Sequence, residues 1–121
     1  HVLGFPCSVQ GACEVRARGM TEGMRVAAAQ SLAALAKECV HEYVLKADNE
    51  KALSFGPDYL LPKALDLRLI EWVRSAVAET AVHEEVAEKR ITDFAAYRKE
   101  LGIRIKAARK RMDGLLAAYG V

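Results

Sequence analysis

The chain has 121 residues, of which 52% are hydrophobic and 28% are charged. A disordered chain combines low hydrophobicity with high net charge, so this balance excludes disorder, and a chain of this length can bury a core of its own. The formal net charge of +2, from 18 basic and 16 acidic residues, is too small to indicate a nucleic-acid or membrane partner by itself.

The first predicted element is a short apolar segment. Val2 to Phe5 form a continuous apolar run that Pro6 closes, a pattern typical of a strand buried on both faces. We therefore predict a strand end over residues 1–6. Because such a strand needs neighbours and the chain does not begin with Met, we expect this terminus to be a cut or processed junction. The glycine and mixed polarity from Cys7 to Ala17 indicate a short helix or turn.

A long helix is predicted over residues 21–47, followed by a loop over residues 48–65. Thr21 and Glu22 suit a helix start, because the hydroxyl can accept from free backbone amides and the carboxylate favours the positive helix end. The apolar residues then recur at steps of three and four, at Met24, Ala28, Leu32, Leu35, Cys39 and Tyr43. Breakers at Asp48, Asn49, Gly56, Pro57 and Pro62 predict the loop.

Two further helical segments are predicted, over residues 66–83 and 92–119. Asp66 can cap the first, which carries one apolar face. Thr92 opens the second, whose apolar residues Leu101, Ile105, Ala108, Met112, Leu115 and Tyr119 form a seam of the coiled-coil type. The fold class predicted for the isolated chain is mainly α, with about four helices plus one short N-terminal strand.

Metal-binding and nucleophilic motifs are incomplete. The pairs His41-Glu42 and His83-Glu84 each lack the second histidine four residues later that a zinc protease requires, because Leu45 and Ala87 occupy those positions. No serine lies in the Gly-x-Ser-x-Gly turn that presents a nucleophile, and no Gly-x-Gly-x-x-Gly turn is available for a dinucleotide. We predict no catalytic residue and no metal ligand, and we assign no cofactor-binding residue.

A basic cluster between Arg98 and Arg111 could contact phosphates, with Glu100 as its single acidic residue. We favour a solvated helix face over nucleic-acid binding, because no aromatic residues interleave with the cations to stack bases. Trp72 is interpreted as a packing residue.

The cysteine pattern and the hydropathy indicate the compartment. Cys7, Cys13 and Cys39 are an odd number at irregular spacing, as expected for free thiols in a reducing setting. No segment reaches the roughly 20 apolar residues that span a bilayer, and we expect a cytoplasmic protein with no membrane partner.

Two blocks of sequence resemble a known family. The first is Val2-Leu3-Gly4-Phe5-Pro6, followed by Gly11-Ala12 and Glu14-Val15-Arg16-Ala17. The second is Phe55-Gly56-Pro57-Asp58-Tyr59-Leu60-Leu61-Pro62-Lys63, followed by Asp66 and Arg68-Leu69-Ile70. Both blocks, in this order, resemble the C-terminal portion of the nucleotide-binding domain of bacterial-type malic enzymes. The resemblance covers Val2 to Leu101.

The resemblance implies the C-terminal part of an α/β, Rossmann-like domain and an enzyme that oxidises and decarboxylates malate to pyruvate. It also implies NAD or NADP and a divalent metal, Mg or Mn. The family's catalytic, metal-binding and glycine-rich residues precede this segment, so the resemblance supplies one site residue only. His1 falls on the second of the family's paired asparagines and is the single substrate-binding candidate. Gln10 departs from the family's Arg, and Ala64 and Leu67 replace its prolines.

Two function hypotheses follow. The chain is either the C-terminal part of a malic enzyme, inactive without a missing N-terminal catalytic portion, or a non-catalytic helical assembly module. The second hypothesis uses self-association through the seam from Leu101 to Tyr119, because an amphipathic surface of this kind calls for a partner.

Overall fold

The computed structural model describes residues 5–40, 44–45, 52–57, 59–62 and 66–120. Within these ranges the chain forms the helices α1 Phe5–Glu14, α2 Glu22–Ala36, α3 Arg68–His83 and α4 Phe94–Ala118, and Val44 and Leu45 are also helical. The described ranges hold no sheet, and their β pairing consists of isolated bridges. The mainly helical fold class predicted from the sequence is confirmed.

The N-terminal segment differs from the predicted strand end over residues 1–6. Phe5 and Pro6 are the first two residues of α1, and the remaining part of that prediction, residues 1–4, lies outside the described residues. Proline suits the first turn of a helix, because its fixed backbone angle is helical and its missing N–H has no partner there anyway. The burial pattern of this segment is also helical, because Cys7 and Gly11, which are four residues apart, are both buried.

Helix α2 begins where the sequence predicts and ends earlier. The Thr21 hydroxyl accepts a hydrogen bond from the backbone N–H of Met24 at 3.1 Å. The helix ends at Ala36, with Lys37 as its C-cap, whereas the prediction extended it to residue 47. The apolar spacing continues to Cys39, but that side chain is exposed. Of residues 40–47, Val44 and Leu45 are helical, and residues 41–43 and 46–47 are not described.

Helix α3 is the centre of the bundle, because α1 and α2 both pack along it. It spans Arg68–His83, close to the predicted 66–83. Its buried residues join those of α1 and α2 in one core, which includes Val15, Met24, Leu35, Val73, Val77 and Ala81. Gly11 allows the close approach of α1, since a Cβ there would lie 2.5 Å from the carbonyl oxygen of Arg74.

Backbone pairing connects the turn after α1 with the turn after α3. The residues after α1 and α3 enter the left-handed region, at Arg16 (φ 51°) and Glu85 (φ 57°). The chain then forms an antiparallel bridge between Ala17 and Ala87. Backbone hydrogen bonds of 2.9 Å, from Arg18 N to Val86 O and from Lys89 N to Val15 O, flank this bridge.

Helix α4 packs against the bundle through its first half. Asp93 is its N-cap and accepts from the backbone N–H of Ala96 at 3.0 Å, one residue after the predicted Thr92. Leu101 is the one fully buried residue in this helix. Beyond Leu101 most described side chains are exposed, so the second half of α4 extends away from the core.

Candidate functional site

An ionic cluster lies where α1, α3 and α4 meet. Gln10 and Glu14 are one turn apart on α1, and Arg74 of α3 reaches both, donating to the Glu14 carboxylate at 3.2 Å and to the Gln10 side-chain oxygen. Arg104 of α4 contacts the same carboxylate at 3.3 Å. Arg74 and Glu14 are mostly buried, and Arg104 is half exposed. One carboxylate therefore contacts two guanidinium groups, and the Glu100 carboxylate lies 4.0 Å from Arg104 on α4.

Tyr97 adds a buried hydroxyl to this cluster. Burial, and then the neighbouring Glu14 carboxylate, raise the pKa of Tyr97 well above its ordinary value. Within the described ranges Nε of Arg74 is a buried side-chain atom without a hydrogen-bond partner. The phenol remains protonated at neutral pH and cannot serve as a base there.

A groove of about 670 Å³ opens beside the cluster, between α3 and α4. Its apolar residues are Leu67, Ile70, Leu101, Ile105, Ala108 and Met112. Its polar residues are Arg74, Arg104, Arg109, Arg111 and Asp113, and the Asp113 carboxylate lies 3.7 Å from Arg109. Guanidinium groups bind anions but do not exchange protons near neutral pH, so this lining suits the binding of an acidic, partly apolar group rather than acid-base chemistry.

The Phe55 to Lys63 block forms a turn in its described part. Gly56 and Tyr59 exchange backbone hydrogen bonds of 3.2 and 3.0 Å. Tyr59 and Pro62 are buried, whereas Phe55 is exposed and lies under the ammonium group of Lys37, 5.6 Å from the ring centre. Asp58 and Lys63 lie outside the described residues. This part of the block therefore has a packing role.

Asp66 follows the block and is almost fully buried. Its carboxylate accepts from the backbone N–H of Arg68 at 3.1 Å and from the Arg68 guanidinium at 3.0 and 2.7 Å. These hydrogen bonds hold the first turn of α3, as the sequence predicts for a capping aspartate, although the N-cap position itself falls on Leu67.

The sequence-predicted site residues are not brought together. His1 and the pair His41-Glu42 lie outside the described residues. His83 is exposed, with Nε2 4.0 Å from Glu79, and Glu84 accepts a hydrogen bond from the Thr21 hydroxyl. The described part of the chain holds no group of three His, Cys, Asp or Glu side chains that could bind a metal ion. The described residues therefore do not supply the ligands of a Mg or Mn site.

The other candidates have structural surroundings. Trp72 packs against the core, as predicted. Burial raises the pKa of the Cys7 thiol, and Cys13 and Cys39 are exposed free thiols. The basic residues of α4 are largely on exposed helix faces, and Arg98 pairs with Glu79 at 2.7 Å. None of the helices that the structure describes is both long and apolar enough to cross a bilayer.

The ionic cluster was not predicted from the sequence. Glu14 and Arg74 are 60 residues apart and sit on different helices, so no local spacing connects them. The one available signal was Gln10, where the resembling family has Arg. That position contacts Arg74, and an arginine there would place a second cation beside it.

The fold is that of part of a malic enzyme. The crystal structure of the Entamoeba histolytica malic enzyme matches 98% of this chain with a TM-score of 0.74 and 24% identity, and the match covers 22% of that chain. At this identity the likeness concerns the fold alone. No protein-family model matches the chain.

The sequence relatives are malic enzymes. The chain is 48% identical over 89 residues to an NADP-dependent malic enzyme of Halomonas elongata, a match that covers 74% of this chain and 21% of that protein. It is 43% identical over 104 residues to an NADP-dependent malic enzyme of Rhizobium meliloti, covering 86% of this chain and 14% of that protein. The homologues of this chain are thus bacterial NADP- or NAD-dependent malic enzymes, of which it matches a small part, and the resemblance recognised in the sequence is confirmed.

Proposed function

We propose that the chain is the C-terminal helical part of the nucleotide-binding domain of a malic enzyme. In this role it contributes to the oxidative decarboxylation of malate to pyruvate only together with the remainder of such an enzyme. The supporting observation is one continuous similarity, 43% identity over 86% of the chain, to a protein of which the chain represents 14%.

The chain itself contributes a set of packed helices that are joined by ion pairs. The Glu14 carboxylate joins α1, α3 and α4 through Arg74 and Arg104, and Asp66 fixes the start of α3. NAD or NADP would supply hydride acceptance and Mg or Mn would polarise the substrate, but the described residues offer no ligand set for the metal. In the family that the sequence resembles, the acidic metal ligands and the glycine-rich cofactor turn precede this segment, and we propose the same arrangement here. Free thiols suit a reducing compartment, and we assign the protein to the cytoplasm.

A segment exchange tests this proposal. The matching segment of the full-length Halomonas elongata enzyme is replaced by the corresponding residues of this chain, and malate-dependent NADPH formation is measured with Mg²⁺ or Mn²⁺. We expect an active chimera and an inactive 121-residue chain. A chimera that carries an unrelated helical segment of equal length is the control. Robust activity of the isolated chain, or a folded but inactive chimera, would refute the proposal.

His1 is proposed as a substrate contact in the completed enzyme. An asparagine amide presents one donor group and one acceptor in a plane, whereas imidazole places its donor and acceptor on opposite sides of a ring. In a chimera that includes His1, the His1→Asn substitution should therefore lower KM for malate. An unchanged KM would remove His1 from the substrate site.

A further inference from the structure

The apolar seam of α4 continues beyond the part that packs on the bundle. Leu101 is buried, whereas Met112 is 56% exposed and Tyr119 is 82% exposed. We call the residues Leu101, Ile105, Ala108, Met112, Leu115 and Tyr119 the α4 stripe. At 1.5 Å per residue the stripe is about 27 Å long. Its accessible part, from Ile105 to Tyr119, is about 21 Å long by the same measure, and an apolar surface of this kind indicates an interaction site.

The dimensions of this surface favour a helix as the occupant. The stripe residues from Leu101 to Met112 line the groove between α3 and α4. Leu115 and Tyr119 continue the stripe beyond the groove. A small molecule could fill the groove but would leave that extension exposed. An amphipathic helix laid along α4 would cover both, through residues spaced by three and four.

Positive charge flanks the stripe. At 100° per residue, Arg104 and Arg111 fall on one side of the stripe and Arg109 on the other. Between Arg98 and Asp113 the helix carries seven basic and two acidic residues. A second copy of α4 would bring the same excess of positive charge into the interface, and like charges across an interface are unfavourable. Carboxylates are favoured instead, and Arg104 already binds one in Glu14.

We propose that the groove and the α4 stripe dock an acidic amphipathic helix of a partner polypeptide. Its apolar residues contact Ile105, Met112 and Leu115, and its flanking carboxylates pair with Arg104 and Arg111. This inference goes beyond the proposed malic enzyme function and stands on the surface of this chain alone. It also replaces self-association through the seam by association with an oppositely charged partner.

The probe is a synthetic helical peptide of roughly 18 residues, which matches the length of the stripe. It carries leucines at steps of three and four, glutamates beside them and a fluorescent label. Fluorescence anisotropy with the 121-residue chain measures Kd. We expect saturable binding that weakens several-fold when NaCl is raised from about 0.05 to about 0.5 M, and no binding of a peptide with lysine in place of each glutamate.

Matched variants localise the binding. Arg111→Glu should raise Kd on the order of tenfold, while Lys110→Glu, the same charge change on the opposite side of α4, should raise it less than about threefold. Met112→Asp should abolish binding, and Ile103→Asp, on the exposed face opposite the stripe, should preserve it. Circular dichroism verifies that each variant remains helical.

Three outcomes overturn the proposal. The first is the absence of saturable binding of the acidic peptide. The second is an equal loss of affinity in Arg111→Glu and Lys110→Glu, which would reduce the effect to overall charge. The third is a concentration-dependent dimer in sedimentation velocity that Met112→Asp abolishes, which would assign the stripe to a second copy of this chain.

Discussion

The contact between α1 and α3 depends on Gly11. A Cβ at this position would lie 2.5 Å from the backbone oxygen of Arg74 and 3.2 Å from Cβ of Val77. Ordinary van der Waals contacts are longer than 3.4 Å, and the nearest atom belongs to the backbone, which no side-chain rotation can move away. In Gly11→Ala the two helices must separate.

The cost follows from two opposing terms. Overpacking of a well-packed core destabilises by about 1–3 kcal/mol. Alanine recovers up to about 1 kcal/mol relative to glycine within a helix. We expect a net loss of about 1–2 kcal/mol in the free energy of unfolding, which lowers Tm by roughly 4–8 °C in a domain of this size. The loss should be larger if the separation also breaks the Arg74 contacts with Gln10 and Glu14.

Urea denaturation followed by circular dichroism measures the effect, and Gly114→Ala is the matched control. Gly114 lies inside α4, and a Cβ there meets no atom within 4 Å. The same substitution should therefore leave global stability unchanged or raise it by up to about 1 kcal/mol. If Gly11→Ala is as stable as the unmodified chain, the close approach of α1 to α3 is not the packing that stabilises this protein.

The remaining predictions concern single polar groups. Thr21→Ala removes the N-cap of α2 and should reduce the free energy of unfolding by about 1–2 kcal/mol in urea titrations; no loss would show that the cap is dispensable. Asp66→Asn weakens the hydrogen bonds to Arg68 around a buried group and should cost about 1–3 kcal/mol by the same assay. For Tyr97 the folded pKa is raised, so its contribution to stability is present below pH about 10 and is lost as pH rises above that value. Between about pH 8 and pH 11, the free energy of unfolding should therefore fall less in Tyr97→Phe than in the unmodified chain. Cys7 also has a raised pKa, but the loss of stability that it causes is the same in both proteins.

Local signals in the sequence located the starts of α2, α3 and α4. Thr21 and Asp66 act as capping residues because a side-chain oxygen one to three residues from a free amide can bond to it whatever the rest of the fold does. The start of α4 was predicted within one residue of Asp93 for the same reason. The family resemblance also depended on contiguous residues, and the malic enzyme relatives confirm it.

Features that depend on tertiary contacts could not be predicted in this way. The apolar spacing of α2 continues to Cys39, but the helix ends at Ala36, its last buried residue, and Cys39 is exposed. The apolar run before Pro6 was assigned to a strand, although Phe5 and Pro6 are helical. A short apolar run fits either structure, and only the neighbours that it packs against decide between them. The cluster of Glu14, Arg74 and Arg104 is equally non-local.

The α4 stripe combines both kinds of information. Spacing alone predicted an apolar seam from Leu101 to Tyr119, but the same spacing describes a buried helix and an exposed one. The structure separates the two possibilities, because Leu101 is buried and Met112 and Tyr119 are exposed on one helix. The position of the basic residues beside the stripe bears on the choice of partner, which the overall composition does not. A net charge of +2 over the whole chain excludes no partner. Between Arg98 and Asp113, however, seven basic and two acidic residues lie beside the apolar stripe. This local excess of positive charge disfavours a second copy of the chain as the partner and favours an acidic helix.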